Sequence, residues 1–406
     1  MKTTTGKKPS SSSSKKNGLK PHQGQSRSAT SATVEEKWDL WKDDAESFLA
    51  AFDKLMEEAI FFHERDKLLL AYRRMKALKK TLRHHLSQEK TDPTVQQELQ
   101  QLLQVWQKEH VQRWKQLKKE VAEVKTVLEE LLSDESWTLI KESNGVETLY
   151  RHEKDTPVHS IKIKGKMRCP ILNILAVINE HTLYDRWIPL LAECRLIEQV
   201  SLYRKAIYMR GALPWPFAHR DACVFGYGVD MLEDEGMVLA VVRDCKSDDL
   251  RTGEVPAATN SSYVRSEVKI AGFVLRPISE NESDIIMMAN ADPKFNYLPY
   301  SLLNFGTKVL SFKMFAMLEE QCKSIDNEGP NDYKEKMEAS PLIYGELRSR
   351  LLEHFQPHVN DTTSSSKKQT EQNNNFNSTY LWALQINYPM DIQEENILQQ
   401  LNVEPT

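Results

Sequence analysis

From Val34 to about Ser133 the chain contains no glycine, and its apolar residues recur at helical spacing. Phe48, Phe52, Leu55, Met56, Ala59, Phe62, Leu69, Tyr72, Met75, Leu78 and Leu82 predict one helix from Asp44 to Leu86. Asp92-Pro93 then breaks the pattern, because proline disfavours the helical region for the residue before it. A second helix follows through Val95, Leu99, Leu102, Trp106, His110, Trp114, Leu117, Val121, Val124, Leu128 and Leu131. Its intervals run 4, 3, 4, 4, 4, 3, 4, 3, 4, 3, a coiled-coil alternation with one four-residue stutter around His110. Residues 34–133 therefore predict a helical hairpin or coiled coil, with Leu102, Trp106, Leu117, Val124 and Leu131 in its seam and His110 as a packed histidine.

Beyond Trp137-Thr138-Leu139-Ile140 the period falls to two, and Asn144-Gly145 is a strong hairpin turn. Strands are expected at residues 146–152, 158–168, 194–201, 203–210, 220–228, 236–245, 263–275 and 283–291, with one or two short helices in 170–191. A long helix is expected from Pro299 to Cys322. It carries two apolar stripes, one through Leu302, Phe305, Val309, Phe312 and Ala316, the other through Leu303, Leu310, Met314 and Met317. Packing on a sheet needs one stripe, so the second implies a further apolar volume. The fold class is α+β, a curved antiparallel sheet against a long C-terminal helix.

The ends of the chain read differently. Residues 1–33 hold Lys2, Lys7, Lys8, Lys15, Lys16, Lys20 and Arg27 without an acid among serines and threonines, a disordered basic tail. Residues 326–341 read as a polar linker, Leu342 to Phe355 as a short helix, and 360–378 as low complexity, so 326–406 is linker and tail. Within it, Tyr380 to Leu384 and Asp391 to Leu401 are apolar enough to dock on this chain or on a partner. The net charge of -4 excludes a general nucleic-acid binder. The five widely spaced cysteines suggest neither a disulfide framework nor a zinc site, which points to a reduced, cytoplasmic compartment. No signal-peptide core and no run of apolar residues long enough to span a bilayer is present, leaving peripheral contact as the expected relation to membranes.

Two segments carry the most specific signal. Pro214-Trp215-Pro216-Phe217-Ala218-His219-Arg220-Asp221 interrupts a strand with two prolines and opens the next with a compact opposite-charge pair. Further on, Asp292-Pro293-Lys294 and Leu298-Pro299-Tyr300 close the strands, and between them run Val264-Arg265-Ser266-Glu267 and Arg276-Pro277. In order and spacing these segments resemble the START lipid-transfer domain, over residues 137–325. The resemblance implies a helix-grip fold with an internal cavity, and it makes Pro214, Pro216, Arg220, Asp221, Arg265, Glu267, Asp292 and Pro299 structural motif positions. It also implies a lipid ligand, no cofactor, no metal and no catalytic residue. Sterol-binding members carry an arginine six positions after the Arg-Asp arginine, where this chain has Gly226, a departure that speaks against cholesterol.

Lipid carriage requires enclosure: a sixteen-carbon chain left in water costs on the order of 12 kcal/mol at ~0.8 kcal/mol per methylene. Met209, Met231, Met237, Met287 and Met288 suit an adaptable cavity. On residues 237–245 the face Met237, Leu239, Val241 ends in Arg243, a candidate for gripping a phosphate. Arg186 lies near a phosphate-binding position of phosphatidylcholine-type members, and Leu303, Leu310, Met314 and Met317 complete the expected lining. Enzyme signatures are weak, since His219-Arg220-Asp221 lacks every companion of a kinase catalytic loop. The reading is intracellular lipid binding and transfer. A coiled-coil adaptor or ligand-sensing scaffold, with the 34–133 helices binding a protein partner or self-associating, is the main alternative; an enzyme on the same fold ranks below it.

Overall fold

The computed structural model describes residues 44–88, 92–153, 156, 158–257, 263–295 and 305–355. The basic tail, Pro299, Leu302, Leu303 and the segments after Phe355 lie outside the described residues.

Helix α1 (Ala45–Glu64) starts where Asp44 caps it, its carboxylate accepting from Ser47 N at 3.1 Å. It ends twenty residues later rather than running on to Leu86, and α2 (Leu68–Leu86) folds back along it. The cause is local: Glu64-Arg65-Asp66-Lys67 offers no apolar residue, and Asp66 takes a left-handed φ of 55°, a conformation aspartate tolerates better than most residues. Helix α3 (Pro93–Val105) begins with Asp92 as cap and Pro93 at its first position. It passes through a π turn, Trp106–His110, into α4 (Val111–Leu132). That turn falls on the sequence stutter, so the extra residue is absorbed as a wide turn and the seam stays on one side.

Ten strands form one sheet: β1 (Thr138–Ser143), β2 (Val146–His152), β3 (His159–Met167), β4 (Leu191–Gln199), β5 (Arg204–Gly211), β6 (His219–Met231), β7 (Met237–Asp244), β8 (Tyr263–Arg265), β9 (Glu267–Ser279) and β10 (Glu282–Asp292). Their order is β1-β2-β3-β10-β9-β7-β6-β5-β4, antiparallel throughout, with β8 added parallel to β6. Asn144 and Gly145 both have positive φ, 53° and 75°, as the β1–β2 hairpin turn requires. Between β3 and β4 lie α5 (Ile171–Asn179) and a 3₁₀ turn, His181–Arg186. After β10 come a π turn, Phe305–Leu310, then α6 (Ser311–Ser324), α7 (Asp332–Ala339) and α8 (Pro341–Phe355).

The sheet is buried on both faces. Met237, Leu239, Val241, Val274, Ile286 and Met288 pack with α1–α4, while Val238, Leu275, Ile285 and Met287 pack with α5–α8. Thus the N-terminal helices and α6 occupy opposite faces. The predicted seam residues Trp106, Leu117, Val124 and Leu131 are buried and Leu102 partly so, but what they meet is the sheet and α2 rather than a dedicated coiled-coil partner. Gly272 lets α4 approach: a Cβ there would lie 3.1 Å from Val127 Cγ1 and 2.6 Å from Ala240 O.

Two expectations about the C-terminal part need correction. The buried stripe of α6 is Ser311, Phe315, Leu318 and Cys322, while Ala316 and Val309 are exposed, because the π turn rotates the helix relative to an ideal 3.6-residue winding. Residues 326–341, read as a polar linker, contain α7, capped by Asn331 and anchored by Tyr333, 0% exposed, and Met337. Two well-placed apolar residues suffice to dock a helix this short.

Candidate ligand cavity

Between the α6-side face of the sheet and helices α5 and α8 lies a cavity of about 140 Å³. Its apolar walls are Ile207, Val224, Val238 and Val242 from the sheet, Leu175 and Ile178 from α5, and Ile343 and Leu347 from α8. Gly226 and Gly228 of β6 form part of the floor, where the absence of Cβ atoms leaves depth. The turn between α1 and α2 supplies Arg65, Asp66 and Lys67 at the mouth. There Arg65 Nη1 meets Glu346 of α8 at 3.2 Å, an exposed bridge between the two ends of the described chain.

The mouth rests on a buried charge network. Arg204 at the start of β5 donates to Asp66 Oδ1 at 2.6 Å and to Glu120 of α4 at 2.6 Å, and Glu120 also meets His63 Nε2 at 2.9 Å. Burial pulls the Glu120 carboxyl up, but hydrogen bonds from His63 and the charge of Arg204 outweigh it and hold the group at about 2. Beside it, Arg350 of α8 pairs with Asp230 of β6.

On the other face of β5 from Arg204 sits a polar cluster absent from the sequence-based expectations. Lys205 Nζ donates to the Asn179 carbonyl at 2.9 Å and to Asn179 Oδ1 at 2.8 Å, at the C-terminus of α5. His181, Tyr184 and Tyr344 line the cavity near it, whereas Tyr203 lies with the charges of the mouth, Asp66, Glu346 and Arg350. Burial lowers the Lys205 ammonium and the His181 imidazole, and it lifts the Tyr203 phenol to about 12. A signal existed: Lys205, Ile207 and Met209 alternate along one face of β5, so Lys205 is a cation closing an apolar face, the same pattern that singled out Arg243.

The structure scatters the residues singled out from sequence. Leu239 and Val241 border the cavity, yet their side chains and that of Met237 sit in the core shared with α1–α4. The cavity side of β7 is Val238, Ala240 and Val242, one residue out of step. Arg243 is held inside the protein, by Glu123 Oε1 at 2.5 Å and by Asp249 at 2.6 and 2.8 Å. Arg186 pairs with Asp332 of α7 and lies over the Tyr333 ring. Leu310, Met314 and Met317 are half-buried and outside this cavity's lining. Of the methionines, Met231, Met237 and Met288 belong to the helix-side core and Met287 to the other.

The motif positions do come together, though not as an adjacent ion pair. Arg220 and Asp221 point to different partners, as successive strand residues must. Arg220 Nε donates to Pro293 O at 2.5 Å, and its guanidinium lies 4.2 Å from the Phe295 ring centroid. Asp221, 1% exposed, accepts two bonds from Arg265 at 2.8 and 3.0 Å. Asp292 and Glu267 share Lys294 at 2.8 and 2.7 Å. The loop from Pro214 to Pro216 is exposed.

The START domain family matches residues 87–324. The chain belongs to the START family. Its START match begins inside the helical layer, so α3 and α4 fall within the family's span while α1, α2 up to Leu86, α7 and α8 fall outside it. Similar solved structures include human STARD10, at 19% identity over 57% of this chain and 83% of that one, TM-score 0.42. Human StAR-related lipid transfer protein 5 is 14% identical over 52% of this chain and 97% of its own, TM-score 0.45. The Zhui aromatase/cyclase from a Streptomyces species is 6% identical over 42% of this chain and 96% of its own, TM-score 0.31. No curated protein matches this START chain.

Proposed function

We propose that this protein binds one lipid in the cavity beneath α8 and carries it between membranes. One observation carries the reading: in a START-family chain, the space between sheet and helices is walled by Ile207, Val224, Val238, Val242, Leu175 and Ile178 and floored by two glycines. At about 140 Å³ the cavity is smaller than the roughly 300–1,000 Å³ of ordinary ligand pockets. Loading a long chain therefore requires a wall to part, and α8 is the wall held at the mouth by the exposed Arg65–Glu346 bridge and the less exposed Arg350–Asp230 pair. The adaptor reading loses support because the seam of α4 is consumed by the chain's own sheet. No described helix is long and apolar enough to cross a membrane.

Native mass spectrometry of the purified full chain, with extraction of bound lipid, tests the proposal. A stoichiometric lipid and movement of labelled lipid between liposomes are expected. Failure of any phospholipid, sterol or fatty acid to bind or move would overturn it.

A further inference from the structure

Resting on the carrier reading, we infer that the ligand of this cavity bears an anionic head, a carboxylate or a phosphate monoester on a single chain, and that Lys205 is its specificity-determining contact.

The charges of the lining are not evenly compensated. Asp66 shares Arg204 with Glu120, Glu346 meets Arg65 and Asp230 meets Arg350, so each of these acids of the lining already has a cation. Lys205 has no carboxylate within ion-pair distance among the described residues; its two bonds go to the carbonyl and side-chain oxygens of Asn179, both neutral. An ammonium has three donors, so one remains. The acid nearest in effect is Glu180, and it is already engaged by the Tyr344 hydroxyl, by Asn179 Nδ2 at 3.1 Å and by Lys336 at 3.8 Å. Lys336, 36% exposed, lies against solvent and outside the lining, so the positive charge without an acid partner inside the cavity is that of the part-buried Lys205. A buried charge is stable only when something compensates it, and an anion entering the cavity would.

Shape and hydrogen bonding agree with the charge. Lys205 stands directly opposite Gly226 on β6, so the space in front of the ammonium is free of any side chain from that position. His181 contributes a buried Nδ1 with no hydrogen-bond partner, ready to donate to the same anion in the appropriate tautomer. Burial and the neighbouring Lys205 lower this imidazole's pKa, which favours the neutral form that donates without adding a second charge. The limited volume favours one chain over two. A neutral head would leave Lys205 as it stands, part-buried and bonded only to the neutral oxygens of Asn179.

The test compares four probes sharing one sixteen-carbon chain on the full-length protein: palmitate, 1-palmitoyl lysophosphatidate, monopalmitoylglycerol and hexadecanol. The wild type should bind at least one of the two anionic probes about tenfold or more tighter than both neutral ones, the scale of one charge-assisted hydrogen bond. Preference for palmitate assigns a carboxylate, and preference for lysophosphatidate a phosphate. Lys205→Met should abolish that preference while neutral probes bind as before, and Lys205→Arg should keep it. Should the methionine variant not fold, Lys205→Gln retains a donor toward Asn179 and serves instead. Equal binding of neutral and anionic probes, or selectivity unchanged in Lys205→Met, overturns the inference while leaving lipid carriage intact. Binding of none of the four by the wild type, together with no lipid co-purifying, overturns both.

Discussion

Arg204→Met would show what the charge network beneath the cavity mouth contributes. The arginine is 14% exposed, and its partners Asp66 and Glu120 are 3% and 6% exposed. Removing it leaves two carboxylates in a nearly dry site: Glu120 retains His63 and Gln116, but Asp66 keeps only a long contact to Ser201 Oγ at 3.5 Å. Breaking a buried pair in this manner costs about 3–5 kcal/mol, because an uncompensated charge remains. With a urea m-value of about 3 kcal/mol/M, the midpoint should fall by about 1.3 M. The pH dependence carries a second signature. In the wild type the folded-state Glu120 lies at about 2, below its ordinary value of 4.5, so its contribution is present above pH 4.5 and lost as pH falls toward 2. In the variant both carboxylates are desolvated without an arginine, so acid relieves the folded state and the gap to wild type narrows from pH 7 to pH 4. Adding Asp66→Asn and Glu120→Gln to Arg204→Met should recover most of the loss. A triple variant as unstable as the single one would refute the argument that stranded charge is the cause.

Three further outcomes can be checked. Arg243→Ala should lower the urea midpoint by about 1 M, reflecting a cost of about 3 kcal/mol for stranding Glu123 and Asp249, while affinity for labelled lipid stays unchanged. Gly272→Val should cost several kcal/mol in thermal unfolding, since its Cβ would press on the Ala240 carbonyl and on Val127 of α4; a melt like wild type would mean that α4 does not pack this closely. Leu117→Ala, at a side chain 0% exposed, should cost about 2–5 kcal/mol by denaturant unfolding, and an effect under about 0.5 kcal/mol, typical of surface sites, would place that face of α4 in solvent.

Most of the sheet was legible because its turns are chemically explicit. Asn144-Gly145 and the proline pair near Trp215 punctuate the strands, and seven of the eight expected strand segments appear within a few residues of their limits, while 263–275 divides at Ser266 into β8 and β9 and β1 was not among those expected. Which face of a strand meets the cavity was not legible. Met237 to Val242 is apolar at every position because helices cover both sides of the sheet, so alternation carries no information there. The break between α1 and α2 was hidden for a different reason: the residue in the left-handed conformation is Asp66, and neither glycine nor proline marks the spot. The seam spacing through His110 was read as a stutter, and the π turn is its structural counterpart. Of the chemistry at the cavity, Lys205 was accessible to the same reasoning that selected Arg243, but strand patterning cannot say which cation ends against an acid and which against an amide. That distinction depends on Glu123 and Asn179, which lie far from their partners in sequence.

The cavity's mouth joins the beginning of the described chain to its end, and this sets an order of events during synthesis. Translation delivers the α1–α2 turn first, the floor strands β5, β6 and β7 next, and α8 only after every strand has emerged. Domains emerge from the ribosome over seconds to tens of seconds at about 5–20 residues per second. Throughout the interval before α8 arrives, Ile207, Val224, Val238 and Val242 form a basin with one wall missing. A hydrophobic molecule present in that interval would find an opening wider than the one left after Arg65 and Glu346 have joined.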